Sequence, residues 1–185
     1  MACSSSDRPA TRVTTRRLFF ALWPDDTQRS RLWSVIKALC PAPVGRPVPA
    51  VNLHVTLAFL GNVSERQVPA LREIAAAQAW PAADLVFDRL AWWPRARLLC
   101  LEASAVPAAF AAAVESFHEA LRQAGFAVER RPFRAHITVA RNVPAPPAAS
   151  TGDPVLPFVW PLRGAALVAS RPTPEGSVYE VIERF

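Results

Sequence analysis

The sequence has 185 residues, 51% of them hydrophobic and 19% charged, which excludes a disordered tail and suffices for one compact unit or two lobes sharing a core. The formal charge is +6, nearly all from arginine with Lys37 the only lysine; the surplus fits a polyanionic partner without naming one. No apolar run reaches the roughly 20 residues of a membrane-spanning helix, and the distant Cys3, Cys40 and Cys100 form neither a disulfide framework nor a zinc pattern.

In chain order, residues 1–15 read as a frayed leader, because the apolar stretch after them is too short for a signal peptide and stops at Pro24-Asp25-Asp26. With Cys40 and Cys100 read as buried free thiols, the expected location is the cytoplasm. Residues 17–23 are apolar on both faces, as in a central strand. A helix is expected over 26–39, with Leu32, Val35, Ile36 and Leu39 at helical spacing and acidic residues at its start. A Pro-rich loop (41–49) leads to a strand over 52–60 ended by Gly61, and Ser64 with Gln67 forms a capping box for a helix reaching 79. Strands are expected over 84–93 and 97–103 around Pro94-Arg95, then a helix from Pro107 to 124 closed by Gly125. A strand over 134–141, a loop over 142–157 and two strands at 165–170 and 178–183 complete the chain.

The order strand, helix, His-x-Thr strand occurs twice: RLFFALW with NLHVTLAFLG, and RLLCLEA with RAHITVAR. A repeated unit points to two halves about a pseudo-twofold axis that brings both motifs to one cleft. On a strand, i and i+2 share a face. Leu53, Val55, Leu57 and Phe59 should therefore face the core, with Asn52, His54, Thr56 and Ala58 opposite. In the second strand Ala135, Ile137 and Val139 face inward, leaving Arg134, His136 and Thr138 together. One such strand is ordinary sheet surface. Two of only three histidines in matching His-x-Thr contexts point instead to paired acid–base catalysis on a phosphate, one ring donating a proton and the other accepting. The threonine hydroxyls would hold phosphate oxygens, with an arginine to offset charge. Arg134 shares the face of His136, whereas Arg141 has the wrong parity and needs a twist or bulge to reach the site. Phe20 is a further candidate for stacking on a substrate base, Trp92-Trp93 reads as packing, and His118 reads as a helix-surface residue.

HVTLAFLG (54–61) and HITVAR (136–141) resemble the two signature motifs of the 2H phosphoesterase superfamily, nearest its RNA 2′,3′-cyclic phosphodiesterase (2′-5′ RNA ligase-like) branch. The likeness extends from RLFFALWP to the closing LVASRPTPEGSVYEVIERF. It implies an α+β fold: a single domain over 16–185 made of two intertwined lobes, antiparallel sheets lining a central cleft, helices outside. The implied activity is metal-independent opening of an RNA or nucleotide 2′,3′-cyclic phosphate to a 2′-phosphate, with no cofactor. The implied roles are His54 as proton donor, His136 as proton acceptor, and Thr56, Thr138 and Arg141 as phosphate contacts. Ligation to a 2′-5′ linkage by the same site, or RNA binding without chemistry, are the alternative readings, and a monomer is expected. The sequence departs from the family pattern at Val51, at Ala135 and in an aromatic-free loop at 46–48.

Overall fold

Two of the expected helical starts are set by reciprocal capping boxes. Asp25 caps the first helix, accepting the Gln28 backbone N–H at 2.7 Å while the Gln28 side chain accepts the Asp25 N–H at 3.0 Å. Ser64 and Gln67 form the same reciprocal box. The structure, a computed structural model, describes residues 14–40, 44–147, 154–174 and 176–185, with backbone alone for 154–156; most of the expected leader lies outside these residues. The order is β1 (Thr15–Leu22), α1 (Asp26–Leu39), β2 (Arg46–Pro47), β3 (Val55–Ser64), α2 (Val68–Ala77), β4 (Asp84–Trp93), β5 (Leu98–Ala103), α3 (Ala108–Gln123), β6 (His136–Arg141), β7 (Pro154–Pro161), β8 (Ala166–Thr173) and β9 (Gly176–Arg184). No helix among the described residues is long and apolar enough to cross a membrane.

The strands form one antiparallel sheet in the order β7-β4-β5-β6-β3-β1-β8-β9, with β2 pairing on β6. The order reads symmetrically from its centre: β6, β5, β4, β7 on one side mirror β3, β1, β8, β9 on the other. Among the described residues a single pair, Val55 with Ile137, joins β3 to β6. This is the α+β, two-lobed arrangement the repeat predicts. The structural repeat is offset by one residue from the alignment of RLFFALW with RLLCLEA. Ala21 pairs with Thr56 and Cys100 with Thr138, so Ala21 corresponds to Cys100 and Trp23 to Glu102.

In each motif strand the ladder skips the residue three after the histidine, and β3 skips Leu60 as well. Along β1, Phe20 pairs with Ala58 and Ala21 with Thr56, omitting Leu57. Along β5, Leu99 pairs with Ala140 and Cys100 with Thr138, omitting Val139. Leu57 and Val139 each lie three after a histidine, and a bulge there reverses the facing of the residues beyond it. Both omitted carbonyls find donors elsewhere. His118 Nε2 lies 2.7 Å from the Leu57 oxygen, and the Val48 N–H donates to the Val139 oxygen at 2.8 Å.

This corrects the reading of His118, which is buried at 5% exposure because α3 presents it to the bulge. Next to it, Phe117 packs edge-on against Phe20 in the main core. Three other expectations shift. β3 starts at Val55 after a 3-10 turn at Ala50–Asn52 and runs through Gly61, which adopts a φ of +69° inside the strand. Part of the loop expected over 142–157 is β7, a Pro-containing strand on the sheet edge, where a missing N–H is tolerated. Cys100 is buried as expected, but Cys40 is only partly so.

Replacing His118 with leucine should leave the Leu57 carbonyl without a donor and lower unfolding stability by about 1–3 kcal/mol in urea titration. A loss within about 0.5 kcal/mol, the range of an ordinary surface change, would contradict this role.

Candidate active site

The two histidines flank the joining pair directly. Extending the Val55–Ile137 register by one residue each way sets His54 opposite Thr138 and His136 opposite Thr56. The two rings are held alike. His54 Nδ1 lies 2.6 Å from the Asn52 carbonyl oxygen, and His136 Nδ1 lies 2.9 Å from that of Arg134. Each Nδ1–H donates to the carbonyl two residues back, which leaves Nε2 as the working nitrogen. His54 Nε2 sits 3.1 Å from the Thr56 hydroxyl, which can donate to it. The Asn52 amide in turn donates to the Ser177 carbonyl at 2.9 Å, tying the segment before His54 to β9.

The surroundings differ. Trp23 stacks on His54 with ring centres 5.4 Å apart and planes 17° off parallel. Phe19 and Tyr179 close around the same ring at 5.0 and 5.3 Å. Among the described residues His136 meets one aromatic, Trp93, at 4.5 Å. Burial lowers His54 to about 4; the Asn52 carbonyl opposes this, while Arg141 and His136 add to it. His136 is also lowered by burial, with the Arg134 carbonyl and the Glu102 carboxylate opposing and Arg134 and Arg131 adding. In the free site both rings are therefore mostly neutral at pH 7.

Two cavities meet at β3. The larger, about 940 Å³, is lined by Thr56, His136, Arg134, Trp93 and Phe59, among others. The smaller, about 590 Å³, is lined by Arg17, Arg46, Arg141, Tyr179 and again Thr56 and Phe59, with no acidic side chain among its described residues. Arg141 reaches this site because the Val139 bulge turns it over, the route its parity demands. The Leu57 bulge does the same to Phe59, which is 47% exposed instead of facing the core, while Ala58 is buried. Phe59 and Arg141 are thus equivalent positions, five residues after their histidines. The Arg17 guanidinium lies over the Phe59 ring at 4.8 Å.

Thr138 does not line either cavity; it contacts the opposite Cys100, whose thiol is pushed up to about 12 chiefly by burial and is no nucleophile at neutral pH. Phe20 is not a substrate surface. It is fully buried against Phe117 and Phe185, since Leu18, Phe20 and Leu22 face the helix-covered core and Phe19 and Ala21 the other side. Sequence reasoning missed Trp23, Tyr179 and Glu102. For Glu102 the signal was there: a lone carboxylate inside an otherwise buried strand, at 2% exposure. Among the described residues no group of three or more His, Cys, Asp or Glu side chains could hold a metal ion.

The geometry has close relatives. The family model for LigT-like phosphoesterases matches twice, over residues 22–100 and 101–179, and the two matches begin at Leu22 and Leu101, equivalent positions of the structural repeat. An RNA 2′,3′-cyclic phosphodiesterase of Thermus thermophilus is 34% identical over 91% of this chain and 89% of its own. One from Escherichia coli K12 is 33% identical over 69% of this chain and 72% of its own. Among solved structures, Escherichia coli LigT complexed with 3′-AMP superposes with a TM-score of 0.81 at 29% identity, covering 93% of this chain and 98% of that one. On its repeat, its fold and these matches, the chain belongs to the LigT-like phosphoesterase family.

Proposed function

We propose that this protein opens the 2′,3′-cyclic phosphate at the end of an RNA, or of a small nucleotide, leaving a 2′-phosphate and a free 3′-hydroxyl. The observation that carries the reading is the duplicated His-x-Thr face, set opposite itself across one strand pair with both Nδ1 atoms tied back. The relatives' names supply the substrate class.

His136 Nε2 takes a proton from water as the water oxygen bonds to phosphorus. The bond from phosphorus to the 3′ oxygen breaks, and His54 Nε2 delivers its proton to that oxygen. The two rings exchange roles as proton carriers, and solvent resets them. Thr56, Thr138 and Arg141 hold the non-bridging oxygens, so the residues act by placement and charge and no covalent enzyme intermediate is needed. Phe59 and the arginine-rich walls of the two cavities offer a stacking surface and phosphate contacts for the nucleotide. The difference between the ring environments suits the division of labour. The ring driven furthest down is the stronger acid, and the ring facing a carboxylate is the stronger base. A bound phosphate anion lying against His54 favours its protonated form, so the donor proton arrives with the substrate.

Hydrolysis of 2′,3′-cyclic nucleotides in EDTA should proceed in the wild type and fall about 100- to 10,000-fold in kcat for both His54→Ala and His136→Ala. Unchanged turnover in either variant contradicts its role, and loss of wild-type turnover in EDTA points to a metal.

The pH profile has a defined sign. Both histidines are lowered from 6.5, so the neutral forms persist to lower pH, while catalysis needs one ring protonated. In the free enzyme kcat/KM should therefore peak below pH 6.5 and decline above it. The kcat optimum, which reports the complex with phosphate bound, should lie at higher pH. Steady-state rates from pH 3 to 9 check this; a kcat/KM maximum above 7 contradicts it.

A further inference from the structure

The pseudo-twofold is broken where the first lobe has the half-buried Trp23 and the second has the buried Glu102. Glu102 pairs in register with His136 and is 2% exposed. Both of its oxygens are engaged: Oε1 accepts the Trp93 indole N–H at 2.6 Å and an Arg134 N–H at 2.8 Å, and Oε2 accepts an Arg89 N–H at 2.8 Å. The Arg134 guanidinium lies 5.1 Å from the Trp93 ring centre, and Trp93 lies against His136. A buried carboxylate without partners would be costly. Here three donors from two segments, β4 and the stretch before β6, converge on it, and all three side chains line the cavity that holds His136.

We propose that Glu102 is a positioning residue of the second half-site: its carboxylate fastens Trp93 and Arg134 over His136 and sets a fixed negative charge beside the ring as it gains a proton. The inference rests on the acid–base reading of the two histidines. In the first lobe Trp23 occupies this place and stacks on His54, supplying an aromatic face and no charge. The lobes hold their rings by the same Nδ1 bond but differ in what faces them, and that difference makes His136 the more basic partner. The charged and titratable groups around His136 are Glu102 on β5, Arg89 on β4, Arg95 in the turn after it, Glu129, Arg131 and Arg134 before β6, and His54 across the seam. Of the two carboxylates, Glu129 is exposed and paired with Arg131, whereas Glu102 is buried and in register with the ring. Its removal therefore takes away the carboxylate that faces the ring.

Two measurements test the proposal. In wild-type protein, NMR titration of the labelled imidazoles should show His136 titrating above His54; coincident midpoints overturn it. In Glu102→Gln, which keeps the shape and removes the charge, the His136 midpoint should move to lower pH. The alkaline limb of kcat/KM should move to lower pH with it, and Glu102→Asp should restore part of the shift. A folded Glu102→Gln protein with an unmoved His136 midpoint overturns the proposal. A midpoint that moves supports it even in a protein inactive on cyclic phosphates, a result that would sink the reaction assignment alone.

Discussion

The cleft depends on one backbone pairing. Val55 and Ile137 are the one described register pair between β3 and β6, and the residues immediately before them are the two histidines. With a single pair, the strands touch at the seam and diverge on either side. His136 and Thr56 line the larger cavity and Thr56 and Arg141 the smaller, with His54 one residue before the seam pair. The proposed chemistry needs that geometry more than it needs any particular residue in the walls, because proton transfer through phosphorus depends on two nitrogens bracketing it.

The paired bulges shape what surrounds the rings. Omitting Leu57 and Val139 from the ladder turns the fifth residue after each histidine toward the cleft, giving an arginine on one side and a phenylalanine on the other. The donors to the omitted carbonyls, His118 and the Val48 N–H, come from outside the ladder, so helix α3 and the loop before β3 help to maintain the site. This couples packing to function: the groups that satisfy a bulge also hold the strand conformation that delivers Arg141 and Phe59.

Much of this was legible in the sequence. Hydrophobic periodicity and capping residues located α1 to its observed ends and found β4 in full, and the His-x-Thr repeat predicted the two-lobed sheet. Alternation placed Thr56 beside His54 and Thr138 beside His136, because the strand is regular up to the threonines. It failed three residues past each histidine, where period two no longer holds; Phe59 and Ala58 exchange faces for that reason. The off-by-one repeat alignment has a similar origin, since RLFFALW and RLLCLEA match best by residue type one position away from their matching strand pairs. His118 was unreadable because its partner is a backbone oxygen far along the chain. The cage of Trp23, Phe19 and Tyr179 around His54 joins β1, the residue just past its end and β9, a contact set no local pattern encodes.

The most direct test is a crystal structure with a nucleoside vanadate, whose five-coordinate vanadium imitates phosphorus between the attacking and departing oxygens. The account predicts His54 Nε2 and His136 Nε2 at hydrogen-bonding distance, about 3 Å, from the two opposite apical oxygens. A vanadate held by one ring alone, or lodged in either cavity away from both, would contradict it.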